Sequence, residues 1–238
     1  MKSRVYAGAI AVFAASILGA QTPAGKAAPA ASASGVQTKA SQAEMTPGKA
    51  LSALKDGNAR FAAGRTTPRD LQAQVHATAG GQYPFAAIVS CMDSRAPVEL
   101  VFDRGLGDVF SLREAGNVVD VDTLGGLEYA TKVIGVKLVL VMGHSHCGAV
   151  KGAIDDVKLG NLTALLAKIR PAIEGPVPPG GSKDDAFVEK VAERNVRLSM
   201  KEIREKSPVV KELVDSGTVG LAGAMYDIDT GKVVFLAD

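Results

Sequence analysis

The chain has 238 residues, 47% hydrophobic and 22% charged, with 27 basic against 25 acidic side chains. That length suits one α/β domain, two at most. Tryptophan is absent and aromatics make up 5%, which excludes an aromatic platform for stacking bases, and the near-neutral balance argues against a nucleic acid or an anionic membrane as partner.

In chain order, residues 1–20 open with Lys2 and Arg4 and continue as an apolar run to the small pair Gly19-Ala20, the layout of a secretory signal peptide. A membrane anchor is the competing reading, but the run is shorter than the ~20 apolar residues that a spanning helix needs. Gln21 stands where a lipoprotein would carry cysteine. Cleavage after Ala20 would remove Lys2 and Arg4, leaving 25 basic and 25 acidic side chains on a protein of the periplasm or the exterior. Residues 21–45, rich in Ala, Ser and Pro and poor in large apolar side chains, are expected to form a disordered tether. Thr46-Pro47 is a helix start, an N-cap followed by proline at the first helical position, and opens a domain over residues 46–238. Leu51, Leu54, Asn58 and Phe61 continue at helical spacing and predict an amphipathic helix whose stripe is available to a partner subunit.

The body of the domain alternates strand and helix. Short apolar runs predict strands at residues 85–90, 108–112, 137–143 and 218–226. Helices are predicted at 96–103, 122–134, 147–157, 161–173 and 184–206, with a Pro/Gly loop at 176–181. This alternation predicts an α/β fold with a mostly parallel central sheet flanked by helices. Residues 225–228 and 233–236 flank Asp229-Thr230-Gly231-Lys232, a C-terminal hairpin that adds one antiparallel edge strand.

The chemistry-bearing residues follow two of these strands. Cys91-Met92-Asp93-Ser94-Arg95 comes after the first, and His144-Ser145-His146-Cys147 after the third. Parallel α/β sheets bind ligands just beyond the carboxyl ends of their strands. Two thiolates and one imidazole there make a Cys₂His set, the composition of a catalytic zinc site whose fourth position holds water. Two cysteines in an exported chain also fit a disulfide, and thiols at strand ends fit inert core positions. The H-x-x-C turn, and the acid and fixed cation Asp93 and Arg95 beside the first thiol, weigh toward the metal. His144 is the expected imidazole ligand rather than His146, because H-x-x-C can wrap one turn around an ion while adjacent side chains seldom converge on it. His146 and His76 are left as surface histidines or proton relays.

At these residues the chain resembles the β-class carbonic anhydrases, which carry C-x-D-S-R and, further on, G-H-x-x-C-G, here Gly143 to Gly148. The resemblance runs from about Met45 to Asp238 and takes in Gly57-Asn58-Ala59-Arg60-Phe61, Gly81-Gln82 and Gly126-Leu127-Glu128-Tyr129-Ala130. It implies one zinc per chain on Cys91, His144 and Cys147, and reversible hydration of carbon dioxide to bicarbonate and a proton by hydroxide that zinc generates from water. Asp93 would accept a hydrogen bond from that water, and Arg95 would hold Asp93 ionised. In a closed, inactive form of the family the matching aspartate leaves its arginine and becomes a fourth metal ligand. Gln82, Phe110, Tyr129 and Gly148 fall at substrate-binding positions of plant-like members, with Ala115 at an apolar wall often occupied by valine.

Members switched by bicarbonate have Trp three residues before the first cysteine and Gly just before it. Ile88 and Ser90 stand there, which implies the subgroup without that switch. Family members form dimers or larger assemblies and build the pocket across the interface, which implies at least a homodimer here. Hydrolysis of carbon disulfide or carbonyl sulfide, known among relatives, is a second enzymatic reading that the motif alone does not separate from the first. A non-catalytic zinc-binding protein is a third, in which the Asp93–Arg95 pair has no use.

Overall fold

The most apolar runs of the chain occupy the centre of the sheet. In the computed structural model, which describes residues 35–237, the elements run α1 (Lys39–Ala43), α2 (Pro47–Ala62), α3 (Leu71–Thr78), β1 (Ala86–Ser90), α4 (Val98–Val101) and β2 (Val109–Arg113). They continue with α5 (Val121–Glu128), β3 (Leu138–His144), α6 (Gly148–Ile154), α7 (Gly160–Ile169), α8 (Asp185–Lys206), α9 (Pro208–Asp215), β4 (Gly220–Tyr226) and β5 (Val233–Phe235). The sheet has the order β2-β1-β3-β4-β5, parallel except for the β4–β5 pair. Every residue of β1 and β3 is buried, as expected of strands covered on both faces, and that is why they read as unbroken apolar runs.

Alternation along the strands divides the core. Ala86, Ile88, Leu138, Leu140 and Met142 meet Ala50 and Leu54 of α2 and Val98, Val101 and Phe102 around α4. Ala87, Val89, Val139 and Val141 face the other way, onto Leu127 of α5, Val196 and Ile203 of α8 and Val210 of α9. At about 1.5–3 kcal/mol per fully buried aliphatic side chain, these two faces are the main favourable contribution to folding.

The segment Gly57 to Phe61 explains itself in this setting. A Cβ on Gly57 would lie 1.9 Å from the Phe102 carbonyl oxygen, so only glycine lets α2 approach α4. Asn58 donates through Nδ2 to the carbonyls of Val101 (3.1 Å) and Gly231 (2.9 Å) and accepts the Val233 N–H on Oδ1 (2.8 Å). One buried amide thus ties α2 to α4 and to the C-terminal hairpin. Of the apolar stripe, Leu54 and Asn58 are buried within the chain itself, while Leu51 and Phe61 pack against its core and stay partly exposed.

Three other expectations change. The described part of the tether is ordered: Thr38 caps α1 in a reciprocal box with Ser41, and the buried Gln42 donates to the Pro84 carbonyl at 2.7 Å. Composition alone did not foresee that a polar side chain would anchor this segment. The helix expected at 122–134 ends as α5 and passes into a π-helical turn, Tyr129–Ile134, closed by Gly135 at φ 88°. The helix expected at 161–173 stops at Ile169 and tightens into a 3-10 turn around Pro171, which lacks the N–H to continue it. Helices α3 and α9 had no counterpart in the sequence reading. The signal peptide expected at 1–20 and the first part of the tether lie outside the described residues, among which no helix is long and apolar enough to cross a membrane.

Candidate metal centre

The strand order places β2 and β3 on opposite sides of β1, so the chain direction switches between β1 and β3 and opens a crevice at their carboxyl ends. Cys91 follows β1 directly, His144 is the last residue of β3, and Cys147 is the residue before α6. Their ligand atoms all lie within 4.8 Å of one another, and the three side chains are buried. The Cys91 and Cys147 sulfurs are free thiols 4.0 Å apart. Tetrahedral zinc with Zn–S bonds of about 2.3 Å would set its sulfurs about 3.8 Å apart.

The imidazole meets the same requirement. His144 Nδ1 is occupied by the Ser145 carbonyl oxygen at 2.8 Å, while Nε2 is buried without a hydrogen-bond partner. A buried polar nitrogen without a partner is costly, and a metal ion facing it removes that cost. These donors therefore fit zinc. His146 takes a left-handed backbone (φ 54°) and carries its ring toward Asp229 and Asp185, so His144 is the histidine that faces the thiols. His76 is exposed on α3, away from this crevice.

Asp93 and Arg95 form a bidentate pair, Nε to Oδ1 at 2.9 Å and Nη2 to Oδ2 at 2.7 Å, and the Arg95 N–H also donates to Oδ1 at 2.9 Å. The guanidinium holds the Asp93 carboxyl far below the ordinary carboxylate range. Asp93 Oδ2 stands 3.9 Å from His144 Nε2, so an ionised carboxylate borders the three donors. Asp93 is not the cap of the following helix, since α4 begins after Pro97 with no side-chain cap.

The thiols titrate as a pair. The Cys147 sulfhydryl, with help from His144 and the Gly116 N–H, outweighs burial and lowers the Cys91 thiol, while the Cys91 thiolate and burial push Cys147 up. The first thiolate is favoured and the second opposed, and a cation between the two sulfurs would offset both charges. Burial disfavours charge on His144, but the neighbouring Cys91 thiolate more than compensates and raises it.

Several supports were not foreseen. Arg113, the last residue of β2, donates from Nε to the Cys91 carbonyl (3.2 Å) and from Nη2 to the Asp93 carbonyl (2.6 Å), fixing the backbone of the C-x-D segment. The Gly116 N–H donates to Cys91 Sγ at 3.2 Å. Gly116 has φ 67°, and a Cβ there would lie 2.5 Å from Ile169 Cδ1. Asn195 of α8 holds the Gly116 carbonyl at 2.6 Å. A charged residue ending an apolar strand at the same end of the sheet as Cys91 was the one signal that could have picked out Arg113.

The expected substrate residues do not all gather here. Gly148 is exposed at the first turn of α6, beside Cys147, and Ala115 precedes Gly116 in the 3-10 turn Ala115–Asn117. Phe110 pairs in register with Ala87, four residues short of Cys91 and so about 13 Å back along the sheet. Its ring lies 6.3 Å from that of Tyr129, which is 48% exposed. Gln82 is exposed before the amino end of β1, beside Thr78 and Gly107 in a shallow depression.

Residues 86–233 match the family model described as carbonic anhydrase. The chain belongs to the carbonic anhydrase family. It is 37% identical to carbonic anhydrase 2 of Mycobacterium tuberculosis over 79% of this chain and 92% of that protein. Among solved structures it resembles the β-carbonic anhydrase CafA of Aspergillus fumigatus, with TM-score 0.64 and 28% identity over 80% of this chain and 91% of that one. It also resembles one of two β-carbonic anhydrases of Sordaria macrospora described as tetrameric, with TM-score 0.61 and 26% identity over 69% and 90% of the two chains. The carbonic anhydrase motifs Cys91 to Arg95 and Gly143 to Gly148 both lie inside the matched segment.

Proposed function

We propose that this chain catalyses the reversible hydration of carbon dioxide to bicarbonate and a proton. The observation that carries this reading is the convergence of Cys91, His144 and Cys147 on one point, bordered by an arginine-clamped aspartate. Zinc bound there would supply Lewis acidity that makes hydroxide available near neutral pH. Cys91 and Cys147 would hold it as thiolates and His144 through Nε2, with the ring fixed by Ser145. Asp93, kept ionised by Arg95, accepts a hydrogen bond from the reacting water and so orients its lone pair toward carbon dioxide. For Asp93 to become a fourth ligand it must give up the bidentate pair with Arg95, so the paired arrangement is the open one. The Gly148 N–H, at the start of α6, is available to the bicarbonate product.

Gln82, Phe110 and Tyr129 act in this reading from a second copy of the chain, which explains why one chain leaves Tyr129 half exposed at a distance from the thiols. A homodimer or larger assembly follows. The tetramer described for the Sordaria macrospora enzymes supports it by analogy. Export to the periplasm or beyond, with cleavage near Ala20, is the corresponding reading of residues 1–20, tested by amino-terminal sequencing of protein recovered from the periplasm. Ile88 and Ser90, both fully buried in β1, favour the subgroup without a bicarbonate switch. Stopped-flow hydration of carbon dioxide by zinc-loaded protein tests the activity. A zinc-replete chain with no hydration above buffer would end the proposal.

A further inference from the structure

The ligand loop, residues 144–147, is stitched to the segment that carries β4 into its hairpin turn. His144 pairs in register with Tyr226, and the Ser145 N–H donates to the Tyr226 carbonyl at 2.9 Å. Ser145 Oγ accepts the Ile228 N–H at 3.0 Å, and His146 Nε2 lies 3.1 Å from Asp229 Oδ2. The amino-terminal part of α8 closes the other side. His146 Nδ1 is 3.5 Å from Asp185 Oδ1, and the His146 N–H donates to Glu189 Oε1 at 3.1 Å. The turn itself is stiff, because the Asp227 carboxylate accepts the Asp229 N–H and the Thr230 hydroxyl while its carbonyl accepts the Gly231 N–H.

His146 needs such support. Its φ of 54° is a left-handed conformation that residues other than glycine rarely adopt, and it persists only where the surroundings over-determine it. That backbone turn lies between two ligands, so any relaxation of residue 146 moves Cys147 relative to His144.

We propose that His146 is a positioning residue: its ring Nε2 meets Asp229 of the hairpin while its backbone N–H donates to Glu189 of α8, and the two contacts hold the loop in the shape that aims His144 Nε2 and Cys147 Sγ at one point. This inference depends on the zinc reading above and adds to it a residue that binds neither metal nor substrate. The bracket spans elements far apart in sequence, which explains how a turn between β4 and β5 can govern ligands that follow β3.

The test compares zinc-loaded full chains carrying His146→Ala, His146→Asn, Asp229→Ala and the double change His146→Ala/Asp229→Ala. Zinc content of the unaltered protein is measured first, then zinc release to a chromogenic chelator, with unfolding of the metal-free forms alongside. Groups that orient metal ligands change metal affinity by about ten- to hundredfold, and His146→Ala is expected to accelerate release within that range. His146→Asn should recover most of the loss, because asparagine tolerates left-handed backbone and keeps a donor for Asp229. The double change should release zinc no faster than His146→Ala alone, since both remove one bridge. Metal-free unfolding midpoints should move little.

Native release from His146→Ala would overturn the proposal, as would a His146→Asn protein as leaky as His146→Ala. Asp229 is an exposed side chain whose removal leaves the core intact, so native release from Asp229→Ala alone would also overturn it. An unaltered chain that binds no zinc sinks the metal reading itself, whereas a zinc-replete chain indifferent to both substitutions sinks only the role of His146.

Discussion

The carboxyl end of β1 and β3 and the face that carries Phe110 and Tyr129 are built to different standards of completeness. At the first, the three ligand side chains are buried and converge on one point, with partners orienting most of the site: Ser145 on His144, Gly116 on Cys91, Arg95 on the part-buried Asp93. At the second, aromatic side chains stand partly exposed, and Gln82 sits beyond the opposite end of β1. The Cys91–His144–Cys147 cluster is thus complete within one chain, while the aromatic face is left open. The difference teaches that ligand geometry, which tolerates little error, is set by covalently near strand ends, whereas apolar walls can be supplied by a second copy.

Removing a ligand should break the complete end outright. Cys147→Ser or His144→Ala is expected to abolish zinc binding and reduce hydration to the uncatalysed background, checked by metal analysis beside the stopped-flow assay. Next in size, Asp93→Asn and Arg95→Ala should each lower turnover by about a hundredfold or more while zinc stays bound, because the pair acts on proton position and not on the metal. Near-normal turnover in Asp93→Asn would remove the orienting role.

The open face calls for a smaller effect and a sharper design. Tyr129→Ala should lower kcat/KM by roughly tenfold with unchanged zinc, as loss of a pocket contact does. Co-expression of Tyr129→Ala with the zinc-free Cys147→Ser chain should then restore native sites in mixed oligomers. Mixed oligomers no more active per zinc than Tyr129→Ala alone would mean that the pocket is completed within one chain.

The effect with least bearing on activity lies away from both regions. Burial opposes charge on Asp103, but Arg69, Arg60 and Thr67 outweigh it and hold its carboxyl at about 2, against 3.8 unpaired. A depressed carboxyl stabilises the fold above its unfolded value and loses that contribution as pH falls from about 4 through 2. At about 1.4 kcal/mol per unit this amounts to roughly 2 kcal/mol. Asp103→Asn should flatten the acid limb of the stability curve by that amount while leaving zinc content unchanged, as followed by urea unfolding between pH 2 and 5.

Much of this was legible in the sequence because it is local. The apolar runs, the strand-helix alternation and the C-terminal hairpin are read off side-chain pattern, and the ligands fall directly after two such runs. The supports were not legible because they come from residues distant in sequence, such as Arg113 on the C-x-D backbone, Asn195 on Gly116 and Asp229 on His146. Arg113 reads in sequence as an ordinary charge after a strand, and only the parallel register with Ser90 reveals what it holds. The order of residues 35–45 escaped for the same reason. It depends on one glutamine reaching the Pro84 carbonyl, a contact across the fold that composition does not carry.

The most direct test is the hydration rate of carbon dioxide measured by stopped flow against zinc content, on protein loaded from none to one equivalent and followed across pH. The account predicts a rate proportional to bound zinc that rises smoothly with pH and is not shifted by added bicarbonate. A chain that holds one zinc through Cys91, His144 and Cys147 yet hydrates carbon dioxide no faster than buffer would contradict it.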